Sequence, residues 1–339
     1  MRKADQQTDG RQVTLDAVAA LAGVSRATAS RVINGSPRVS PTARQAVEEA
    51  VERLRFVPNR AARNLARQRT DSVALVISEP EDRLFADPFF AAIVRGITRE
   101  LALTELQLVL AMSQSRGDHH RLERYLERAD VDGILFVSMH AGDPLPSRFA
   151  ASGAPTVLCG RLDTAPGVRY VDVDNRGGAG TAVRYLLESG RERVATITGP
   201  QDMGAGIDRL AGYTDALGGR GRRLVERGDF SQESGEAAMR RLLAKAPDLD
   251  AVFAASDPMA LGALRALRAA GRRVPEDVAV VGFDDIGAAR LADPALTTIR
   301  QPVEDMGQAM TRMLLAAMEG EAATEPLILP VELVVRASA

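Results

Sequence analysis

The residues best suited to chemistry in this sequence lie on a short helix-forming segment near its start, residues 26–34, RATASRVIN. At about 100° per residue, the apolar side chains of Ala29, Val32 and Ile33 share one side of this helix. The opposite side, an arc of roughly 140°, carries Arg26, Ala27, Ser30, Arg31 and Asn34. An arginine can donate two hydrogen bonds to a guanine edge, and a small apolar side chain can contact a thymine methyl group. This face therefore suits the major groove of double-stranded DNA, and a solvated basic helix in a small bundle is the alternative.

A second set of polar and aromatic side chains is expected just beyond predicted strands in the rest of the chain, or at the start of a helix. Its members are Asp87, Phe89, Phe90, Arg209, Phe230, Asp284 and Gln301. Arginine and aspartate together match vicinal hydroxyl groups, and an aromatic face stacks on a sugar or a base. These residues predict a binding site for a small molecule. Each has an alternative: Phe89 or Phe90 in a helix core, and Asp284 with Asp285 as a loop cap.

Catalytic and metal-binding patterns do not emerge from the sequence. The histidines His119, His120 and His140 have no ligand spacing with Cys159, and neither HExxH nor CxxC occurs. The glycines of residues 177–180 lack the order of a phosphate-binding loop, and helix packing explains them. The sequence therefore predicts no catalytic residue, no metal, no cofactor and no enzymatic activity.

The elements that position the basic helix are predicted from its flanking residues. Three hydroxyl side chains, those of Thr14, Ser25 and Ser40, can each begin a helix by accepting a backbone N–H. Gly23 supplies a turn between the first two helices, and Asn34-Gly35 ends the second. Two short helices joined by a tight turn form a helix-turn-helix unit. This domain is assigned to residues 12–58, after a disordered tail over residues 1–11.

The segment that follows, residues 59–67, NRAARNLAR, is helix-forming but has almost no residues that could build a core. A helix this short is marginal alone in water, so it would order only against DNA or a partner copy. Leu65 has the character of an apolar wedge that enters a minor-groove base step. Residues 59–71 are therefore predicted as a hinge helix and linker, with a flexible charged linker as the alternative.

The charge distribution agrees with a DNA-binding head. Residues 1–70 carry thirteen Lys and Arg against six Asp and Glu, whereas the remainder carries thirty against thirty-nine. A basic head on an acidic body is typical of a domain that contacts phosphate. The lone cysteine excludes an internal disulfide, and the polar N-terminus and the lack of a long apolar run predict neither a signal peptide nor contact with a membrane. The expected location is the cytoplasm.

From Ser72 onward, apolar strand-like runs alternate with amphipathic helical stretches. Continuous Val, Ile and Leu strands with intervening helices indicate parallel sheets covered on both faces. Residues 72–339 are too many for one such sheet, so an α/β core of two lobes is predicted. Because ligands of these folds bind beyond the carboxyl ends of the strands, the lobes should enclose a cleft.

The head resembles that of the lactose-repressor (LacI/GalR) family. The similarity runs from Val13 to Ala66, VTLDAVAALAGVSRATASRVINGSPRVSPTARQAVEEAVERLRFVPNRAARNLA. It implies that Arg26 and Ala27 read bases, with Arg31 behind them and Leu65 as the minor-groove lever. The positions expected to contact DNA are Thr14, Leu15, Ser25, Arg26, Ala27, Thr28, Ser30, Arg31, Asn34, Arg38, Asn59, Ala62 and Leu65.

The body resembles the periplasmic-binding-protein-like core of the same family, in segments such as GIDRLAGY, ASDPMALGALRAL and VAVVGFDDI. By this resemblance Arg209, Phe230, Asp284 and Gln301 match effector-contacting positions, and Phe89 with Phe90 matches an aromatic wall. The chain should cross between the lobes near Gly190, Gln301 and Pro330. The first lobe is then about 72–190 and 302–329, and the second about 191–301 and 330–339.

Together these features predict a ligand-responsive repressor of carbohydrate-utilisation genes. A homodimer would place two recognition helices one DNA turn apart, on a pseudo-palindromic operator. The predicted effector is a sugar in the cleft. A nucleobase, nucleoside or phosphorylated metabolite is an alternative, since an aromatic ring stacks equally well on a purine. A sugar-binding transport protein is a further alternative that the lack of a signal peptide disfavours.

Overall fold

The computed structural model describes residues 13–36, 38–56, 70–113, 116–127, 131–219, 223–322 and 325–339. The chain divides into two compact units between Thr70 and Asp71. Within the described ranges, every helix is too short or too polar to cross a membrane.

The described residues of the first unit form three helices, α1 (Leu15–Leu21), α2 (Arg26–Ile33) and α3 (Pro41–Leu54). All three predicted N-caps are confirmed. Thr14 Oγ1 accepts the Ala17 N–H at 3.3 Å, Ser25 Oγ that of Thr28 at 3.1 Å, and Ser40 Oγ that of Ala43 at 3.3 Å. Each cap satisfies a backbone donor that the first helical turn leaves unpaired, which fixes where the helix begins.

The turns and the small core of this unit also follow the sequence. Gly23 and Gly35 have φ of 67° and 73°, in the left-handed region that glycine adopts without a steric cost. Val18, Ala29 and Val47, one from each helix, are fully buried against one another's helices. The apolar side of α2 therefore faces the core, and its polar side is left free.

The described residues of the second unit form two six-stranded sheets, and the first of these defines the first lobe. Its strands are β1 (Ser72–Ile77), β2 (Gln107–Met112), β3 (Gly133–Val137), β4 (Thr156–Cys159), β5 (Arg169–Val173) and β11 (Leu327–Leu329). The spatial order is β11-β5-β4-β3-β1-β2, and every pair is parallel. The helices of this lobe are α4 (Glu81–Ala86), α5 (Pro88–Leu101), α6 (Arg116–Glu127), α7 (Leu145–Ala151) and α13 (Val303–Met318).

The second sheet defines the second lobe. Its strands are β6 (Val194–Thr198), β7 (Leu224–Arg227), β8 (Ala251–Ala254), β9 (Ala279–Asp284), β10 (Thr297–Arg300) and β12 (Glu332–Val334). The order is β12-β10-β9-β8-β6-β7, with β12 antiparallel to β10 at the edge of an otherwise parallel sheet. The helices are α8 (Asn175–Glu188), α9 (Gly204–Leu217), α10 (Gln232–Lys245), α11 (Asp257–Ala269) and α12 (Gly287–Leu291).

Alternate side chains of each strand enter opposite cores, as expected for sheets covered on both faces. In β1, Leu75 packs with the core under α5 and α13, whereas Val76 packs with the core under α6 and α7. Helices α5 and α13 lie unusually close. A Cβ atom on Gly96 would lie 2.1 Å from the carbonyl oxygen of Glu304, so only glycine permits this contact.

The chain crosses between the lobes at three places, and one of them differs from the prediction. Two crossings lie near Gln301 and Pro330, as expected from the sequence. The first lies near Asp174 rather than near Gly190, because helix α8 packs on the second sheet. Its apolar stripe, which includes Val183, could have covered either sheet, so the sequence alone did not decide this boundary.

Candidate functional site

The free face of α2 is the first candidate site. Arg26, Ala27, Arg31 and Asn34 are exposed, while Ala29 and Val32 are buried. The predicted division of this helix into an apolar and a polar side is therefore confirmed. Arg26 Nε lies 3.5 Å from Asp16 Oδ1 with both side chains largely exposed, a pair that contributes little stability and leaves the guanidinium available.

The remaining residues expected at DNA fall into two groups. In the described part, Thr14 and Ser25 have their hydroxyl groups engaged as caps, and Arg38 is exposed. Thr28 and Ser30 of α2 are half-buried, as is Leu15 at the start of α1. The expected tail over residues 1–11 and most of the expected hinge lie outside the described residues, together with three expected contacts: Asn59, Ala62 and Leu65.

The second candidate site is a cavity between the two lobes of the core, with about 620 Å³ of empty space that is partly open to solvent. All seven residues that the sequence singled out line it: Asp87, Phe89, Phe90, Arg209, Phe230, Asp284 and Gln301. Phe90 also belongs to the hydrophobic core against which α5 packs, the alternative expected for one of the two phenylalanines.

Three non-glycine residues of the cavity wall have backbones in the left-handed region. They are Ser138 with φ of 59°, Phe230 with φ of 71° and Asp284 with φ of 121°. Such conformations cost free energy and persist where the surrounding structure over-determines them, often at binding sites. The fold thus fixes the direction of three side chains at the cavity.

Arg209 is the centre of the polar part of the cavity. It lies in the second turn of α9, not at the helix start as predicted, and its side chain is almost fully buried. Its Nε donates to Asn175 Oδ1 at 2.8 Å and its Nη1 to the Ala255 carbonyl at 2.6 Å, with Asp284 Oδ1 at 3.5 Å. A guanidinium held from several sides is oriented before any ligand arrives.

The carboxylates around Arg209 are held by neutral donors as well. Gln301 Nε2 donates to Asp284 Oδ1 at 2.6 Å, and Asn175 Nδ2 donates to Asp172 Oδ1 at 2.9 Å. Burial raises the pKa of Asp284 to about 7, opposed by the charge of Arg209. Burial likewise raises the pKa values of Asp87 and Asp172. A carboxyl group with a pKa of about 7, as in Asp284, can donate or accept hydrogen bonds to a hydroxylated ligand.

Aromatic rings form the apolar part of the cavity. The Phe230 ring lies 5.2 Å from Arg83 Cζ and 5.8 Å from Arg209 Cζ. The Arg209 guanidinium also lies 3.6 Å from the centre of the Phe283 ring, which adds a cation–π contact beneath it. Phe89 packs edge-to-face on Phe90, with ring centres 5.4 Å apart.

Sequence reasoning missed several cavity residues. They are Arg83, Ser138, Cys159, Asp172, Asn175, Met203, Ser256 and Met306. Ser138 follows β3 and Ser256 lies two residues past β8, so the strand-end rule, applied to every strand, would have found both. Arg83 had no such signal, because α4 is too short to be predicted. Cys159 is a buried strand residue, as expected, although it also reaches the cavity.

Comparisons with known proteins find matches to both units of the chain. Residues 14–59 match the model of bacterial regulatory proteins of the lacI family, and residues 183–339 match a periplasmic binding protein-like domain. The HTH-type transcriptional regulator CelR of Thermobifida fusca is 53% identical over 336 residues, covering 97% of this chain and 98% of that protein. The chain belongs to the LacI family. As a LacI-family protein it is a DNA-binding transcriptional regulator.

Other LacI-family proteins give the same result. The ribose operon repressor of Escherichia coli K12 is 36% identical over 305 residues, covering 87% of this chain and 90% of that protein. The structure of a CelR–cellobiose complex has a TM-score of 0.77 at 52% identity, covering 96% of this chain and all of that one. The Lac repressor dimer bound to operator and the anti-inducer ONPF has a TM-score of 0.85 at 30% identity, covering 97% and 99%.

Proposed function

We propose that this regulator is a repressor of carbohydrate-utilisation genes whose affinity for operator DNA changes when a sugar occupies the cavity. The observation that carries the proposal is the arrangement around Arg209. An oriented guanidinium, a buried carboxyl group and two amide side chains lie beside the Phe230 ring. Polar groups that converge beside an aromatic face are what a pyranose ring requires, with its equatorial hydroxyls and apolar C–H face.

The charges of the cavity favour an uncharged sugar. Three carboxyl groups, those of Asp87, Asp172 and Asp284, line it with two guanidinium groups, those of Arg83 and Arg209. A phosphorylated metabolite would bring further negative charge among these carboxyl groups, which raises its cost of binding. The similarity to CelR, a structure of which contains cellobiose, supports a glucose disaccharide of this kind.

The DNA side of the proposal rests on α2. We propose that a homodimer reads a pseudo-palindromic operator, with Arg26 and Ala27 at base edges and Arg31 behind them. The exposure of these side chains supports this, as does the similarity to the Lac repressor dimer bound to operator. A protein that regulates the chromosome acts in the cytoplasm, which is the location we propose.

We further propose that the cavity binds its sugar without converting it. The family's members named above are regulators, and a regulatory signal requires that the effector be released unchanged. Sugar binding then shifts an equilibrium between two arrangements of the lobes, and this shift is coupled to the affinity for the operator.

The experiment is a thermal-shift and calorimetric comparison of cellobiose, ribose, adenosine and glucose 6-phosphate with the full-length protein. A ligand at 100 times its Kd raises the free energy of unfolding by about 2.7 kcal/mol, so a specific sugar gives a clear shift. We expect cellobiose to bind and to emerge unchanged. Binding of adenosine or the phosphate ester alone would contradict a sugar effector, and recovery of glucose would contradict binding without conversion.

The DNA arm uses duplexes selected by this protein from random sequence. We expect a pseudo-palindromic consensus, and we expect cellobiose to change the affinity for it. An asymmetric consensus would contradict the dimer, and an affinity that cellobiose leaves unchanged would contradict the coupling.

A further inference from the structure

A buried carboxylate lies at the rim of the cavity, where sequence analysis predicted no functional residue. Glu79 follows β1 and is only 2% exposed. Its Oε1 accepts the Arg83 guanidinium at 2.6 Å and the Ser138 hydroxyl at 2.5 Å. Because Arg83 and Ser138 both line the cavity, Glu79 fixes two of its wall residues from behind.

His140 joins this carboxylate to the other lobe. Its Nε2 lies 3.5 Å from Glu79 Oε1, and its Nδ1 lies 2.8 Å from Asp202 Oδ2. The neighbouring Ala141 N–H donates to the Asp202 carbonyl at 2.8 Å. Glu79, His140 and Ala141 belong to the first lobe, whereas Asp202 lies between β6 and α9 of the second. These contacts therefore bridge the cleft.

The bridging imidazole is a cation at neutral pH. Its hydrogen bond to Glu79 is the largest cause that raises the pKa of His140 to about 9; burial opposes this shift and the hydrogen bond to Asp202 adds to it. The charged groups facing His140 are Glu79, with Arg83 beyond it, and Asp202. On its own segment, the Asp143 carboxylate is instead engaged by the Ser78 hydroxyl at 2.6 Å and by the Leu145 N–H.

We propose that Glu79, His140 and Asp202 form an ionic clasp that holds the two lobes together at the rim of the cavity and so retains the effector. This inference rests on the proposed function, in that the cavity is taken as the effector site. Within the clasp, Glu79 is a positioning residue, His140 is the bridge and Asp202 is the acceptor on the second lobe.

The clasp adjoins the cavity on both sides. Ser138 of the wall lies two residues before His140, and Met203 of the opposite wall directly follows Asp202. Separation of His140 from Asp202 therefore moves these two walls apart. A bound ligand that contacts both walls would be released more readily from the separated form, and by linkage the ligand stabilises the clasped form.

The clasp makes closure depend on pH in a defined direction. Opening removes Asp202 from His140 but leaves Glu79 beside it, so the pKa of His140 is lower in the open form than in the closed form. The contribution to closure is complete below the open-form pKa, and it is lost as the pH rises through about 9. Each unit of difference between the two pKa values corresponds to about a tenfold change in the closure equilibrium.

The experiment measures closure directly, in the full-length protein. Spin labels on Ala151→Cys of α7 and Ala237→Cys of α10, both exposed, report the distance between the lobes, while the native Cys159 is buried. Without sugar, we expect one short distance between pH 6.5 and 8 and a growing longer distance above pH 9. In Asp202→Asn, we expect the longer distance at every pH. Identical distances in both proteins at all pH values would overturn the clasp.

A second ion pair between the lobes provides the matched control. Arg161 Nη2 of the first lobe lies 3.1 Å from Asp208 Oδ1 of α9. Because arginine stays charged over this range, Asp208→Asn should weaken closure by the same factor at each pH. In this variant closure should still be lost as the pH rises through about 9. Glu79→Gln should instead move the loss to lower pH. A loss near pH 9 that persists in Asp202→Asn, or that disappears in Asp208→Asn, would also overturn the clasp.

Measurements of cellobiose binding test the clasp and the proposed function independently of each other. We expect the affinity for cellobiose to fall by about tenfold between pH 7 and 10, and to be nearly independent of pH in Asp202→Asn. A pH-dependent distance without any cellobiose binding would overturn cellobiose as the effector and support the clasp. Cellobiose binding with the same pH profile in both proteins would overturn the clasp and support the effector.

Discussion

The two candidate sites differ in how exposed their side chains are and in how far along the sequence their hydrogen-bond partners lie. On α2 the side chains are exposed and their hydrogen bonds are local, as between Asn34 Nδ2 and Ser30 Oγ at 3.3 Å. In the cavity the side chains are buried or half-buried, and the partners of Arg209 come from segments 34, 46 and 75 residues away. One site is a rigid backbone with free side chains, and the other is a network assembled by the whole fold.

The difference follows from the size of the ligand. DNA brings a large charged surface, so a helix in fixed orientation can use side chains that become ordered on contact. A small ligand has to replace its hydration with a few groups, and these must already be oriented. A substitution on α2 should therefore remove one contact, whereas a substitution in the cavity should disturb its neighbours as well.

The largest effect is expected from Arg209→Ala. The change leaves Asn175 and Asp284 without their buried cationic partner, so the affinity for cellobiose should fall by about 3 kcal/mol, more than 100-fold. Calorimetry measures this, and operator affinity without sugar should stay near normal. Arg176→Ala is the matched control, because Arg176 is exposed on α8 and pairs with Asp215. Unchanged sugar binding in Arg209→Ala would remove this residue from the site.

A smaller and more local effect is expected from Arg26→Ala. Loss of one bidentate contact should cost about 1–3 kcal/mol for each half-site, and only at one symmetric base pair of the operator. Binding to operators substituted at each position measures the change, with Arg53→Ala on the exposed side of α3 as control. Equal weakening on all sequences would mean that Arg26 contacts phosphate alone.

The helix caps should matter to stability by about 1 kcal/mol each. Ser40→Ala removes the acceptor for the Ala43 N–H, so hydrogen exchange of the α3 amides should accelerate in the full-length protein. Thr42→Ala, at an exposed neighbouring position, should leave exchange unchanged. Equal exchange in the two variants would show that α3 is held by packing of Val47 rather than by its cap.

The smallest expected effect is a change in how the free energy of unfolding of the core depends on pH. Because burial raises the pKa of Asp284 to about 7, the folded state holds a proton that the unfolded state releases near pH 4. The contribution of this group to stability therefore falls as the pH rises from about 4 to 7. In Asp284→Asn, the free energy of unfolding should therefore depend less on pH between about 4 and 7. Asp277→Asn should not have this effect, because the hydrogen bonds from Arg273 lower the pKa of Asp277 to about 2. An equal slope in Asp284→Asn and the parent would contradict this assignment.

The caps of the first unit and the two sides of α2 could be predicted from the sequence, because the residue patterns that determine them are local. A cap such as Ser25 lies within three residues of the amide it binds, and α2 shows its two sides within a single segment. The cavity was predicted in part. Arg209, Phe230 and Asp284 were found through strand ends and resemblance, although the position of Arg209 within its helix was wrong.

The remainder depends on contacts that no local pattern records. Glu79 is followed by a short helix and gives no periodic signal, yet it meets Ser138 from 59 residues away. Helix α8 has one apolar stripe and two sheets that could receive it. Strand β12 is three residues long, so neither its presence nor its antiparallel direction could be read in advance. In each case the missing information is which distant segment is the partner.

The three crossings between the lobes also determine the order in which the parts of this protein can be completed during synthesis. The three described helices of the first unit have all been synthesised once residue 54 has emerged. The first lobe still lacks β11 until residue 329, and the second lacks β12 until residue 334. Since domains fold as units while the chain grows, the DNA-reading part can fold on the ribosome well before either lobe has its full sheet. A chain cut short before residue 327 would therefore carry a folded reader without a finished sensor.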